Sequence, residues 1–306
     1  MPTWDEVMAA PPAGRRRLLR LLSALLAVLA VCAALWPFAI QWASGARLSR
    51  EAAAAMAAHV PATAADRRDL KAARAYNARL ARSGQPRLGA SMSRAGGSPD
   101  FSGSSDRPYM SVLPDVMATV SYPSLGIRLP VRHGASDDTL RQGAGHLYGS
   151  SLPVGGKGTH TVLTGHTGLP DSLLFTRLDE ARRGDVFYIL VRGATLAYRV
   201  DRISVVDPSD TSLLRVRAGE DRATLVTCTP YGVNSHRLLV SGPRARMPEQ
   251  APYPKDAKGD AKGRAMGVAA AVCVCGLPVA ARMSRRPLPC RHRIRRHPGT
   301  PHRGRT

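Results

Sequence analysis

The stretch LLSALLAVLAVCAALWPFAI, residues 21–40, constrains this chain more than any other. It holds 20 consecutive residues with no charge and a single Ser. As a helix rising 1.5 Å per residue, a run of that length matches the roughly 30 Å hydrocarbon thickness of a bilayer. Trp36 and Trp42 flank its far end, where amphipathic rings favour the membrane–water interface. Arg15, Arg16, Arg17 and Arg20 precede the run, against Asp5 and Glu6. That bias places residues 1–20 in the cytoplasm and the chain after residue 41 outside. The alternative is a cleaved signal peptide, whose apolar region normally runs about 7–15 residues. The greater length favours a retained signal anchor. A second uncharged run, AMGVAAAVCVCGLPVAA at 265–281, is mostly small residues and is interrupted by Pro278. It is a marginal second transmembrane segment. The tail at 282–306 carries nine arginines and no acid, which favours a cytoplasmic C-terminus. The tail itself reads as a solvated, disordered basic segment.

The formal net charge is +22, which first points to nucleic acid or an anionic membrane surface. The two ends supply about half of that charge, and the remainder mixes both signs. Aromatic residues make up only 5% of the chain, so no base-stacking platform stands out. The membrane is an expected partner and nucleic acid is not. The five cysteines are Cys32, Cys228, Cys273, Cys275 and Cys290. With both apolar runs in the membrane, only Cys228 lies in the external domain, so a disulfide within that domain is excluded. A zinc site would need several Cys or His ligands at suitable spacing, and none cluster around Cys228. No metal or other cofactor is expected. Cys228 is then either a small buried thiol or a reactive nucleophile.

After the anchor, residues 41–83 read as helical, with Pro61 dividing them and Leu70, Ala73, Asn77 and Leu80 on one face. Residues 84–115 are rich in Gly, Ser and Pro and read as a long mobile loop, a length usually tied to function or disorder. From 116 to 245 the pattern changes to short strands separated by turn signals, as in VMATVSYPSLGIRLPVRHG and GDVFYILVRGATLAYRVDRISVVDP. That pattern predicts a mainly β domain, an antiparallel barrel or sandwich. A short helix is predicted within LPDSLLFTRLDEARRGD, with Leu174, Leu178 and Ala181 on one side. Residues 246–264 form a linker. There is no internal repeat and no nucleotide-binding glycine loop.

A cysteine attacks as thiolate, and its ordinary pKa near 8.5 requires help from an imidazole or a cation. The external domain offers His59, His133, His146, His160, His166 and His236. His166 follows the apolar strand TVLTG and opens a Gly-flanked loop, a place where a side chain can face a cleft. The ordinary alternative for any of these histidines is a structural or solvated role. Arg237 begins the strand after Cys228. Antiparallel pairing would bring the two to one sheet edge, where a fixed cation can hold a carbonyl or steady an oxyanion. A surface arginine in a strand is the plain alternative. His236 would point to the opposite face.

TLVTCTPYGVNSHRLLVSG at 224–242 resembles the active-site signature of sortases, specifically the class C, pilin-polymerising sortases. The stretch from Gly134 to Ile189, through GHLYGSSLPVGGKGTHTVLTGHTGLPDS, is similar to the same class, and YPSLGIRLPVRHG fits the strand upstream. The likeness covers roughly residues 47–245. It implies an eight-stranded sortase-type β-barrel with an N-terminal helix and short connecting helices, outside a Gram-positive cell. It implies a Cys–His–Arg site of Cys228, His166 and Arg237 that cleaves a Leu-Pro-X-Thr-Gly-type sorting signal after Thr. The partners implied are surface proteins or pilins bearing that signal, with a pilin lysine or cell-wall peptide as the accepting amine. Class C members also carry a lid, commonly Asp-Pro-aromatic. Here the loop holds Ser98-Pro99-Asp100-Phe101, with the order reversed, and a second candidate at Asp106–Tyr109. Asp100 and Phe101 are the lid residues expected from the first. The rival of another class is a membrane-anchored β-domain that only binds a partner, with Cys228 inert. The papain-like and caspase neighbourhoods of a catalytic cysteine are absent.

Overall fold

The computed structural model describes residues 13–59, 61–88, 106–169 and 172–248. The apolar run at 265–281, the basic tail, and Asp100 and Phe101 lie outside the described residues. The chain divides into two compact units at Ala34 and Leu35, and the unit Leu35–Gly267 carries every described strand.

Helix α1 runs unbroken from Ala13 to Ala57. Its first half is apolar and unburied: Leu21, Leu25, Leu29 and Trp36 are exposed. A helix with no polar face and no protein cover fits a lipid surrounding. Among the described residues it is the one helix long and apolar enough to cross a membrane. Its character changes after the tryptophans. Leu48 and Ala52, one turn apart, are buried. The Thr119 hydroxyl donates to the Ala52 carbonyl at 3.2 Å, and Arg132 pairs with Glu51. The segment from Gln41 onward continues the same helix, and its turn from Leu48 to Ala52 packs on the strands.

The chain breaks at Pro61, and α2 spans Ala64–Arg82. Thr63 and Asp66 form a reciprocal capping box that satisfies its first backbone donors. Ala73, Tyr76 and Asn77 are its buried face. The buried Asn77 amide is matched by the Leu152 backbone, donating to its carbonyl at 3.0 Å and accepting from its N–H at 2.7 Å. A short helix α3, Arg107–Val112, follows.

The strands are β1 (Val116–Tyr122), β2 (Ile127–His133), β3 (Ala144–His146), β4 (Thr159–Thr164), β5 (Val186–Val191), β6 (Ala194–Arg199), β7 (Arg202–Val206), β8 (Asp221–Thr229) and β9 (His236–Ala245). A five-residue helix α4, Asp137–Arg141, sits between β2 and β3. The ladder runs β6-β5-β1-β2-β3-β4-β8-β9, and β9 returns to β6 through Ala197↔Ala245 and Tyr198↔Arg244. Eight strands thus close a barrel, and β7 lies beside β9 as a ninth outside that ring. Tyr122, Phe187, Tyr198, Leu129, Leu225 and Val240 fill the interior. Burial of such side chains stabilises the fold by about 1.5–3 kcal/mol each.

Two sequence expectations are corrected. The strands are not all antiparallel: β2 pairs with β3, and β4 with β8, in parallel. The chain from 165 to 220 separates β4 from β8, and a connection of that length permits a parallel return where a hairpin could not. The helix expected near Leu174 is only a 3₁₀ turn over Thr176–Glu180, because Leu174 itself sits at φ 34° in the left-handed region.

Candidate active site

Strand β8 is the axis of the site. Side chains alternate along it, with Ala223 and Leu225 facing the barrel interior and Val226 facing a second, outer apolar cluster with Leu147, Val162, Leu214 and Leu239. Cys228 shares the parity of Val226 and so belongs to the outer face. In the antiparallel ladder to β9, Val226 pairs with Leu239, and the next rung on that face pairs Cys228 with Arg237. Opposite residues in such a ladder hold their Cβ atoms about 4.5–5.5 Å apart. The pairing expected from the sequence is the one observed.

The parallel ladder to β4 completes the row. Thr164 pairs with Val226, the last rung of that strand. Beyond it the Gly165 N–H donates to the Val226 carbonyl at 3.0 Å, and the Thr227 hydroxyl donates to the Gly165 carbonyl at 2.7 Å. His166 follows two residues beyond that last rung on the β4 side, as Cys228 does on β8. The end of β8 thus has the β4 end that leads to His166 on one side and the β9 rung bearing Arg237 on the other.

Local contacts fix each member. A Cβ on Gly165 would lie 2.7 Å from the ring of the fully buried Phe175, so only glycine lets the chain turn there. The Phe175 N–H donates to the His166 carbonyl at 3.1 Å, and the Thr167 hydroxyl donates to the Phe175 carbonyl at 3.4 Å. The 230–235 turn closes on its own backbone, with the Asn234 N–H donating to the Pro230 carbonyl at 2.9 Å. Arg237 Nη1 donates to the Asn234 and His236 carbonyls, each at 3.2 Å, which aims the guanidinium from that turn. Tyr231 from the same turn lies against Gly168 of the His166 loop.

The electrostatics differ across the row. Burial pulls the His166 imidazole below its ordinary pKa; the Asp137 carboxylate pushes it up, and the Arg141 cation adds to the lowering. Asp137 Oδ1 is 3.9 Å from His166 Nε2. Cys228 is half-buried and carries no disulfide. The strand ends thus bring together a thiol, an imidazole and a guanidinium, the kinds of group that acyl transfer uses.

The other histidines have structural places. His59 pairs with Asp66 at 2.8 Å. His133, His146 and His160 are buried and bonded to the Leu113 carbonyl, the Ser151 carbonyl and the Arg215 carbonyl. His236 lies on the opposite face of β9 from Arg237, 3.7 Å from Asp207. The second lid candidate is also structural. Asp106 caps α3 and accepts from the Tyr148 hydroxyl at 2.9 Å, while Tyr109 is fully buried with its hydroxyl 3.0 Å from His146 Nδ1. Sequence reading missed Asp137 and Tyr231, since neither stands near His166 along the chain.

Comparison with known proteins fits this geometry. A sequence model of the Sortase domain matches residues 120–245, which contain the whole row. Sortase A of Bacillus anthracis is 30% identical over 127 residues, 42% of this chain and 59% of that protein. The chain thus spans about 60% of the length of curated relatives of this kind. The crystal structure of sortase C-1 from Actinomyces oris is 44% identical, with a TM-score of 0.52, over 58% of this chain and 97% of that one. Sortase C1 of GBS pilus island 1 is 38% identical, with a TM-score of 0.56, over 67% and 96% of the two chains.

Proposed function

We propose, for a chain that belongs to the sortase family, a cysteine transpeptidase reaction carried by Cys228, His166 and Arg237. The observation that carries the reading is the place of Cys228 at the end of β8, opposite Arg237 on β9 and beside the β4 end that leads to His166. The thiol proton passes to the imidazole, and Cys228 Sγ attacks the carbonyl carbon of Thr in a Leu-Pro-X-Thr-Gly-type signal. Arg237 steadies the oxyanion as it forms. The Thr–Gly C–N bond breaks, and His166 gives its proton to the departing Gly amine, leaving a thioester on Cys228. An incoming amine then loses a proton to His166, attacks the thioester and releases the thiolate.

The accepting amine is most simply a pilin lysine. The likeness to sortases named C-1 and C1, one of them from a pilus island, supports that choice. Sortases named A also align with this chain, which keeps wall-peptide anchoring as the second reading. The barrel works outside the cell, tethered by α1 with its N-terminus in the cytoplasm. The partners are sorting-signal-bearing surface proteins or pilins.

The test is turnover of a fluorogenic sorting-signal peptide by the full chain in nanodiscs. Cys228→Ala is expected to abolish cleavage with the fold unchanged, and retained turnover would refute the assignment. Pilin lysine and wall peptide offered together then identify the acceptor. Iodoacetamide separates the non-catalytic alternative, because an inert thiol labels only on unfolding.

A further inference from the structure

Helix α4 places one carboxylate, Asp137, beside His166, and that carboxylate makes none of the hydrogen bonds that cap the helix. Ser136 caps the helix by accepting from the Thr139 N–H, and the Thr139 hydroxyl is held by the His133 carbonyl at 3.3 Å. Asp137 takes no part in that cap. Its polar contact among the described residues is His166 Nε2 at 3.9 Å, from 29 residues away in sequence. Nor is α4 a loose element. Leu140 is buried and lies where a Cβ on Gly145 would stand 2.8 Å from it, so the helix is pinned on β3. A carboxylate on a fixed element beside the proposed base, and free of any capping duty, is placed for electrostatics.

We propose that Asp137 is a positioning residue for His166, holding the ring by Nε2, turning Nδ1 toward Cys228 and favouring the thiolate–imidazolium pair over the neutral pair. The inference rests on the Cys228–His166–Arg237 reading above. In the proton balance, the thiol proton moves to Nδ1 and the new positive charge faces Asp137 across the ring. The charged groups that act on His166 are Asp137 and Arg141 from α4; Tyr231 from the 230–235 turn lies against Gly168 of its loop, and Cys228 on β8 and Arg237 on β9 are paired at the neighbouring strand ends. Arg141 opposes the imidazolium; Asp137 is the anion that favours it. Without it, burial and the Arg141 cation favour the neutral ring, and the thiolate–imidazolium pair loses its counter-charge.

The experiment is the pH dependence of Cys228 alkylation by iodoacetamide, followed on the Cys228 peptide by mass spectrometry in the full chain in nanodiscs. Asp137→Asn is expected to raise the alkylation midpoint by roughly half a unit and to lower kcat/KM about threefold, mostly through kcat. Asp137→Glu restores most of both. Adding 1 M salt to the unmutated protein is expected to move its midpoint toward that of D137N, because screening weakens a half-exposed pair. A D137N profile superimposed on the parent, with a salt-insensitive parent, would overturn the proposal. The catalytic reading is judged separately by His166→Ala: if that variant shifts the midpoint while D137N does not, only the role of Asp137 fails. If neither shifts it, the His166 assignment fails with it.

Discussion

Cys228 is a nucleophile candidate because of where its neighbours fall, and the residue that sets this most tightly is Gly165. It is the point at which β4 ends and the chain turns to present His166. Any Cβ there meets the buried Phe175 ring at 2.7 and 2.8 Å, and that ring has no exposed side to move into. Gly165→Ala is expected to destabilise the barrel by about 1–3 kcal/mol through overpacking. It should also cut turnover out of proportion to stability, since His166 moves with the turn. Thermal melting alongside turnover checks this; a variant with a lowered Tm and full activity would contradict it. At this scale the sequence was partly legible. Cys228, His166 and Arg237 could each be placed at a strand end beside an apolar run, but that pattern left plain structural roles open, and the resemblance to sortases singled the three out. Asp137 was not, because its link to His166 depends on the placement of α4 on β3, which no local pattern encodes.

The elements under the row are held by buried neutral imidazoles. Two rungs below Cys228, His160 Nε2 lies 2.7 Å from the Thr224 hydroxyl, which lies 2.7 Å from that of Ser241, tying β4, β8 and β9 together. His146 in β3 is bonded to Tyr109 and to the Ser151 carbonyl. Burial pushes both imidazoles down from 6.5 to about 4. Between those values the unfolded chain binds protons that the folded chain refuses, so stability falls as pH drops from about 6.5 toward 4 and the effect levels off below. Each group contributes on the order of 3 kcal/mol at the acid end. Asp201, lowered by its bond to Arg222, loses its contribution only below the ordinary carboxylate value of 3.8, outside that window. Urea unfolding in detergent at pH 7 and pH 4.5 should show the loss, and His160→Gln should flatten it. An unchanged slope in that variant would contradict this account. Strand order was less legible than strand existence. Alternation and the turns at Pro123–Gly126 and Arg192–Gly193 marked the strands, while the three-residue β3 is too short to carry a period. The parallel β4–β8 pairing depends on a long crossover whose path is set by tertiary packing.

At the scale of the whole molecule, one helix holds both a stretch long and apolar enough to cross a membrane and a stretch packed on the strands. From Leu21 to Ile40 it has no polar face to turn toward protein; from Leu48 to Ala52 it is a packed part of the barrel's outer layer. The sequence separated these as an anchor and a later helix, since hydropathy changes between them. The backbone has no reason to stop, because the residues that link them, Ala43 to Arg47, include no proline and a single glycine. On the proposed topology, a membrane-impermeant maleimide added to intact cells should label Cys228 and leave Cys32 unmodified. Labelling of Cys228 only after lysis would contradict that topology.

On the proposed mechanism Cys228 carries the acyl group. The most direct measurement of this is intact-protein and peptide mass spectrometry of the full chain in nanodiscs, incubated with a sorting-signal peptide and no amine acceptor. The account predicts an adduct on Cys228 equal in mass to the peptide through Thr, discharged by hydroxylamine and absent from Cys228→Ala and His166→Ala. Cleavage of the peptide with no adduct on Cys228, or an adduct on another residue, would contradict it.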